Sequence, residues 1–196
     1  MRKGAKVVPV ASIEKAGLYP EADYRIGERG SARVRRFDFG NSPSEIEAAG
    51  LAPGAVVVLS TTNGTRVLEA AHGAPAILAG AFVKAHAVAD ALATGVLGDR
   101  VGVVGCGWQG RRASEDESAA GAIFHRLREH GASLDERAER VLSLYLSRPE
   151  NNLRNNSAAQ RLMRLGYEQD IDFCLAENTV LVVPRLSDGA FTDRMW

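Results

Sequence analysis

Short apolar runs alternate with helical patterns along the first two thirds of the chain. Four of these runs, at residues 6–10, 56–60, 76–80 and 101–105, predict strands, and most of them are almost continuously apolar, as expected for strands covered on both faces. Residues 83–93 place apolar side chains at helical spacing between two of these strands. This alternation is typical of βαβ units, so we expect an α/β fold with a mostly parallel sheet.

The remaining pattern predicts further helices and one or two additional strands. The sequence Ser42-Pro43-Ser44-Glu45 matches a capping box with proline at the first helical position, so a short helix should follow it. From Ala119 onward, apolar residues recur at helical spacing in three segments, the last at residues 155–165. Further strands are predicted at residues 24–26 and at residues 180–183, where Pro184 would end the run.

Composition fits one globular domain that comprises residues 1–196. The chain is 45% hydrophobic, and its 24 Lys and Arg residues balance 24 Asp and Glu residues, which argues against nucleic acid as a partner. Cys106 and Cys174 are too few for a disulfide framework, so we expect a reducing, cytoplasmic setting. No apolar stretch approaches the length needed to span a bilayer, so no membrane association is expected.

The segment after the apolar run at residues 56–60 is the most informative one for function. It reads Thr61-Thr62-Asn63-Gly64-Thr65-Arg66 and precedes a helical pattern. In α/β sheets the carboxyl end of a strand is where ligands bind, and free amides at a helix start favour an anion. Arg66 could bind phosphate or carboxylate oxygens through two nitrogens. The alternative is an ordinary βα turn in which Asn63-Gly64 supplies the positive φ.

Two other segments combine charged or polar residues with turn signals. Glu28 and Arg29 stand between Gly27 and Gly30, which is a solvated turn or part of a site. Asn41 precedes Ser42, and because Ser42 is explained as a helix cap, Asn41 is the better candidate for contact with a ligand.

Three acidic residues follow Ser114 and open the helix around Ala119. Glu115, Asp116 and Glu117 would be stabilised there by the helix dipole alone. Near an anion site the same carboxylates would suit Mg²⁺, which takes oxygen ligands and bridges to phosphate. The sequence leaves both interpretations open.

The sequence Gly105-Cys106-Gly107-Trp108-Gln109-Gly110 matches a dinucleotide-binding fingerprint after a predicted strand. That motif should continue into an apolar-striped helix and a second strand, whereas residues 111–118 are polar. A dinucleotide-binding domain therefore stays the less favoured alternative.

Taken in order, these motifs resemble the 2-phosphosulfolactate phosphatase family along essentially the whole chain. The most specific element is the string from Thr61 to Arg66, and Glu28-Arg29, Asn41-Ser42-Pro43 and Glu115-Asp116 accompany it. The resemblance implies a three-layer α/β/α fold and Mg²⁺-dependent hydrolysis of 2-phosphosulfolactate, or a similar small phosphorylated acid, to sulfolactate and phosphate, a step of coenzyme M biosynthesis. A catalytically inactive, anion-binding relative is the main alternative.

By this resemblance the site residues receive roles. Phosphate or sulfonate would be bound by Thr61, Thr62, Asn63, Gly64, Thr65 and Arg66. The residues implied to hold Mg²⁺ are Glu28, Glu115 and Asp116, and the catalytic group would comprise Glu28, Arg29, Asn41 and Asp116. The family pattern also has a leading strand that ends in an Asp-x-x-Arg-Ala-Thr type segment. This sequence contains none, so we expect it to lack an N-terminal strand and helix, and an open sheet edge would favour a homodimer.

Overall fold

The computed structural model describes residues 4–149 and 152–193. Its strands are β1 (Lys6–Pro9), β2 (Tyr24–Arg29), β3 (Ala32–Arg33), β4 (Val56–Ser60), β5 (Pro184–Ser187) and β6 (Ala190–Asp193). Its α-helices are α1 (Ile13–Gly17), α2 (Pro43–Ala49), α3 (Gly64–Ala70), α4 (Ala85–Ala93), α5 (Ser114–Glu129), α6 (Glu136–Ser147), α7 (Ser157–Arg164) and α8 (Glu168–Leu175). Short 3-10 turns lie at Phe82–Lys84 and Leu153–Asn155.

The described strands form one mixed sheet in the order β3-β2-β4-β1-β6-β5. Strand β4 pairs in parallel with both β1 and β2, and this parallel centre matches the pattern of its almost continuously apolar sequence. Antiparallel strands extend the sheet on each side, β3 beside β2 and the β5–β6 hairpin beside β1. The α/β fold is therefore confirmed, but the sheet is parallel only at its centre.

Two groups of buried side chains cover different parts of this framework. One joins helix α1 to the parallel strands through Ala16 and Val58, which are both fully buried. The other packs α4 against α5 and includes Val88 and Ile123. Helices α5 and α6 approach closely at Gly121, where a Cβ atom would lie 2.3 Å from the Cβ atom of Tyr145. Among the described residues, no helix is long and apolar enough to cross a membrane.

The predicted helices agree well with the structure. Ser42 caps α2 as expected, because its side-chain oxygen accepts a hydrogen bond from the Glu45 amide at 3.2 Å. The pattern at residues 83–93 forms the 3-10 turn and α4. The three helical segments predicted after Ala119 appear as α5, α6 and α7.

Three predicted strands differ from the structure. Residues 101–105 form no strand, and residues 76–80 make only an isolated antiparallel pairing of Leu78 with Arg185. Residues 76–80 lie beside β5 and share two backbone hydrogen bonds with it, from the Ala79 amide to Pro184 and from the Leu186 amide to Ile77, which is too few for a ladder. Residues 101–105 have no neighbouring strand in the described chain. At residues 180–183 the prediction is shifted, because Pro184 begins β5 instead of ending a strand. Proline is allowed at the first residue of a strand, where its missing N–H costs no ladder bond.

Candidate active site

The turn between β4 and α3 presents free backbone amides. Strand β4 ends at Ser60, as the sequence predicted, and α3 begins at Gly64, inside the 61–66 segment that was expected to precede the helical pattern. The amides of Asn63, Gly64 and Thr65 donate no hydrogen bond within residues 4–149 and 152–193. The Thr65 hydroxyl donates to the Thr61 carbonyl at 3.0 Å and so fixes the first turn of the helix. Such a turn can bind an anion through amides that have no other partner.

Two further groups of this turn are available to a ligand. Arg66 is exposed, and no carboxylate in the described part of the chain lies within ion-pair distance of it. The Thr62 hydroxyl oxygen is buried and has no hydrogen-bond partner among the described residues. Buried polar groups normally have a partner, so this oxygen marks a place where a bound molecule could supply one.

Glu28 connects the end of β2 to the turn. Its side chain is buried, with Oε1 accepting from the Thr62 amide at 2.7 Å and Oε2 accepting from the Ser31 amide at 3.0 Å. This close arrangement depends on Gly27, because a Cβ atom there would lie 2.8 Å from the Ser60 carbonyl oxygen. The sequence prediction that Glu28 belongs with the 61–66 segment is therefore matched by direct contact, and the carboxylate orients the turn.

The side chain of Arg29 lies on the same edge of the sheet but binds the protein itself. One guanidinium nitrogen donates to the Glu28 carbonyl at 2.6 Å and to the Ser60 carbonyl at 3.3 Å. The other donates to the Ala11 carbonyl at 3.2 Å and to the Ser60 hydroxyl at 3.0 Å. Arg29 thus joins the carboxyl ends of neighbouring strands, and its place in the catalytic group, which the family resemblance implies, stays a prediction.

Asp116 reaches the turn through an intervening loop. It lies in the first turn of α5, and its Oδ2 accepts a hydrogen bond from the Gly107 amide at 2.6 Å. In the same loop, the Cys106 Sγ lies 3.9 Å from the position that a Cβ atom on Gly64 would occupy. Burial, with a smaller contribution from the nearby Asp116 carboxylate, raises the pKa of the Cys106 thiol. The loop therefore bridges Asp116 and the anion-binding turn.

The three acids predicted to bind Mg²⁺ do not form a preformed site. Glu115 accepts a hydrogen bond from the Asn156 side chain at 3.0 Å and so contacts α7, whereas both oxygens of Glu28 accept from backbone amides. Within residues 4–149 and 152–193, no three side chains of His, Cys, Asp or Glu are grouped closely enough to hold a metal ion. The carboxylates thus do not fit an assembled Mg²⁺ site in this conformation.

Sequence reasoning missed a group beside Glu28 that involves Ser31, Trp108 and Arg161. The guanidinium of Arg161 lies over the Trp108 ring, 4.1 Å from its centroid, and its Nε donates to the Ser31 hydroxyl at 3.0 Å. Arg161 is one of many arginines, and nothing in its helix distinguishes it. The Gly30-Ser31 pair between two short strands was a usable hairpin signal, since two-residue turns of this kind favour positive φ.

The predicted ligand contact at Asn41 lacks a structural partner. Asn41 is exposed and makes no hydrogen bond to the described residues. Its neighbour Ser42 is buried and donates to the buried Asp170 carboxylate at 2.8 Å, which joins α2 to α8. Ser42 therefore has the structural role that its capping position predicted.

The dinucleotide fingerprint adopts a different geometry from the one that motif requires. Trp108 and Arg111 exchange backbone hydrogen bonds at 2.9 Å, and Gln109 and Gly110 both have positive φ. Because α5 begins only at Ser114, the last glycine of the motif forms a tight turn and does not open a helix. The phosphate-binding geometry of that motif is therefore missing from this segment.

A cleft of about 240 Å³ lies beside Asp116, between helices α4 and α5 and residues 100–106. Its lining is mainly apolar and includes Leu78, Val88 and Ile123. Few charged groups line it, so it does not match a small molecule with several negative charges. The anion-binding features are concentrated at the β4–α3 turn instead.

Comparison with known proteins gives a consistent result along the chain. Residues 1–189 match the family model described as 2-phosphosulpholactate phosphatase. A probable 2-phosphosulfolactate phosphatase of Gloeobacter violaceus is 39% identical over 193 residues, which cover 94% of this chain and 80% of that protein. One of Thermotoga petrophila is 35% identical over 187 residues, with the same two coverages. One of Carboxydothermus hydrogenoformans is 36% identical over 185 residues, 91% of this chain and 75% of that protein.

Proposed function

The chain belongs to the 2-phosphosulfolactate phosphatase family, and we propose that it is a phosphoric monoester hydrolase that converts 2-phosphosulfolactate to sulfolactate and phosphate. The observation that carries this proposal is the β4–α3 turn, where three amides without a partner among the described residues adjoin Arg66 and the buried carboxylate of Glu28. The names of the relatives supply the substrate, and the turn supplies a site that suits a phosphate group.

The charge of the substrate agrees with this arrangement. 2-Phosphosulfolactate carries roughly four negative charges near neutral pH, from its phosphate, sulfonate and carboxylate groups. Phosphoryl transfer depends mainly on positioning and on stabilisation of charge. The amides of Asn63, Gly64 and Thr65 and the guanidinium of Arg66 would bind the phosphate oxygens, and an oxygen of the same group would give the Thr62 hydroxyl the partner that it lacks.

Two acids would serve this reaction in different ways. Glu28 holds the Thr62 amide and thereby fixes the shape of the turn. Asp116 uses Oδ2 for the Gly107 amide, and its Oδ1 has no hydrogen bond to the described residues. We assign to Oδ1 the proton of the attacking water, whose oxygen bonds to phosphorus as the ester P–O bond breaks. The sulfolactate oxygen leaves with the bonding electrons and takes a proton from solvent water.

Mg²⁺ dependence is a separate part of the proposal. Mg²⁺ is commonly bound by one or two carboxylates together with substrate phosphate, so it could join the site with the substrate although no three-acid site is assembled. When bound, the ion would neutralise charge on the phosphate oxygens. We assign no step of the reaction to it.

The proposal extends to setting and assembly. Cys106 and Cys174 are free thiols, which is consistent with a cytoplasmic location. Production of sulfolactate would place the reaction in coenzyme M biosynthesis. A homodimer, proposed from the open sheet edge, can be checked by light scattering, where a monomeric mass at assay concentration would exclude it.

Phosphate release from 2-phosphosulfolactate tests the enzymatic proposal. We expect the wild type to release phosphate and Arg66→Gln to lose at least about tenfold in kcat/KM, because a charge-assisted contact with the phosphate is removed. Arg137→Gln, an exposed arginine on α6, is the matched control and should keep full activity. Loss of activity in EDTA, with recovery on adding Mg²⁺, would support the metal, and unchanged activity would remove the metal from the proposal.

A second candidate is a non-catalytic anion-binding protein. The observation in its favour is that both Glu28 oxygens are already bound to amides and that the described acids do not assemble. Calorimetry separates the two functions. Binding of phosphate that is lost in Arg66→Gln, without phosphate release and without an effect of Mg²⁺, would favour the non-catalytic function.

A further inference from the structure

Arg161 carries a positive charge that the described protein does not neutralise. It projects from α7, its side chain is half-buried, and its one hydrogen bond to the described residues runs from Nε to the Ser31 hydroxyl. Within residues 4–149 and 152–193, neither terminal nitrogen has a hydrogen-bond partner, and no carboxylate lies within 4.0 Å. A partly desolvated cation without a counter-charge is unfavourable unless an anion binds to it.

The orientation of this guanidinium suits anion recognition. The guanidinium carbon lies over the Trp108 ring, and the bond from Nε to Ser31 adds a second contact that restricts the rotation of the group. The two terminal nitrogens are thereby held ready as a pair of donors, which is the geometry that carboxylate, sulfonate and phosphate oxygens accept.

The backbone at Ser31 adds an independent observation. Ser31 has φ of +70° in the two-residue turn between β2 and β3, a conformation that glycine adopts without strain and serine rarely adopts. Because its hydroxyl oxygen accepts from Arg161, the hydroxyl hydrogen is free to donate to a ligand. The tight turn requires this φ, and it holds the Ser31 hydroxyl against the Arg161 side chain.

This group adjoins the phosphate-binding turn. The Ser31 and Thr62 amides bind the two oxygens of the same Glu28 carboxylate, so the two segments are separated by the width of one carboxylate. We propose that Arg161, together with the Ser31 hydroxyl, forms a second anion subsite that binds an acid group of the substrate while the β4–α3 turn binds its phosphate. This inference rests on the proposed function and assigns to Arg161 the selection of phosphate esters that carry a second acid group.

Sulfolactate, the phosphate-free product, tests the subsite by calorimetry even without catalysis. We expect the wild type to bind it and Arg161→Gln to bind it at least about tenfold more weakly, whereas the neighbouring exposed Arg164→Gln should match the wild type. Ser31→Gly should weaken binding while raising the melting temperature, because it removes the hydroxyl and relieves the strained φ. Absence of sulfolactate binding to the wild type, or equal binding by Arg161→Gln, would overturn the proposal.

Kinetics then identify which acid group is bound. Arg161→Gln should raise KM for 2-phosphosulfolactate at least about tenfold with a smaller change in kcat. If KM for 2-phospholactate, which has no sulfonate, is unaffected by the substitution, Arg161 binds the sulfonate. If KM for phosphoisethionate, which has no carboxylate, is unaffected, it binds the carboxylate. An unchanged KM for all three esters would contradict the subsite. A wild type without any phosphatase activity would contradict the proposed function instead, and the sulfolactate titration would then decide whether the subsite exists.

Discussion

Segments 56–66 and 101–110 share a pattern of residue types but have different structures. Each consists of a short apolar run followed by a glycine-containing turn. The first run is strand β4, paired on both sides by β1 and β2, with Val58 fully buried. The second run forms no strand in the described chain, and its Val101 and Val104 are 43% and 68% exposed. An apolar run becomes a buried strand only where neighbouring strands complete its hydrogen bonds.

The two turns that follow these runs also differ in how they are fixed. The 61–66 turn begins at the end of a central strand and is oriented by Glu28, a buried carboxylate. Among the described residues, the 105–107 loop is held by one hydrogen bond, from the Gly107 amide to the half-buried Asp116. We therefore expect the backbone of the first segment to be rigid and the backbone of the second segment to be more mobile.

Truncation of one valine in each run gives the largest expected difference. Val58→Ala should lower the free energy of unfolding by about 2 kcal/mol, because Val58 is fully buried and the substitution leaves a cavity. Val104→Ala removes an exposed side chain and should change stability by less than about 0.5 kcal/mol. Urea unfolding of both variants measures the difference. If both variants lost the same free energy of unfolding, residues 101–105 would be buried in solution, and the proposed difference between the two runs would be wrong.

Replacement of each supporting carboxylate by its amide gives a smaller difference. Glu28→Gln puts an NH₂ group against one of two backbone amides, so we expect a loss of about 2 kcal/mol in the free energy of unfolding. Asp116→Asn affects one amide at a half-buried site and should cost about 1 kcal/mol.

Stability and activity together show whether these acids have separate roles. Asp116→Asn should lower kcat more than its stability loss accounts for, if Asp116 accepts the proton from water. The double variant tests independence, since additive stability changes are expected for acids that support different segments. A strong coupling between Glu28 and Asp116 in unfolding would show that the two segments form one unit.

The sequence identified the parts of the structure that depend on local signals. The capping box at Ser42, a helix entered from the 61–66 segment and the strand at residues 56–60 follow from local signals, and all three are present, with the second helix beginning at Gly64. The β5–β6 hairpin was missed although Asp188-Gly189 is a recognised hairpin signal, and both residues have positive φ.

Features that depend on long-range pairing could not be predicted in the same way. Residues 101–105 contain three valines, which favour a strand, and two glycines, which weaken one, and they have no neighbouring strand in the described chain. The contact of Arg161 with Ser31 joins residues 130 positions apart, and no periodicity in the sequence records it. Glu28 and Thr62 were placed in one site by the family resemblance, and their hydrogen bond follows from the parallel register of Gly27 with Ser60.

The smallest expected effect concerns the one thiol that connects the two segments. The Cys106 side chain is exposed, but partial desolvation of its thiol raises the pKa, so alkylation by iodoacetamide should accelerate as pH increases above 8, since only the thiolate reacts. The measurement uses the Cys174→Ser variant, in which Cys106 is the remaining thiol. Desolvation raises the pKa of Cys174 to about 11, so Cys174 would react slowly in any case. Because Cys106 Sγ lies beside Gly64, phosphate bound at the turn should slow alkylation of Cys106 by roughly two- to fivefold relative to chloride at equal ionic strength. An identical rate in both salts would mean that the 105–107 loop does not contact the occupied turn, and the two segments would then act independently.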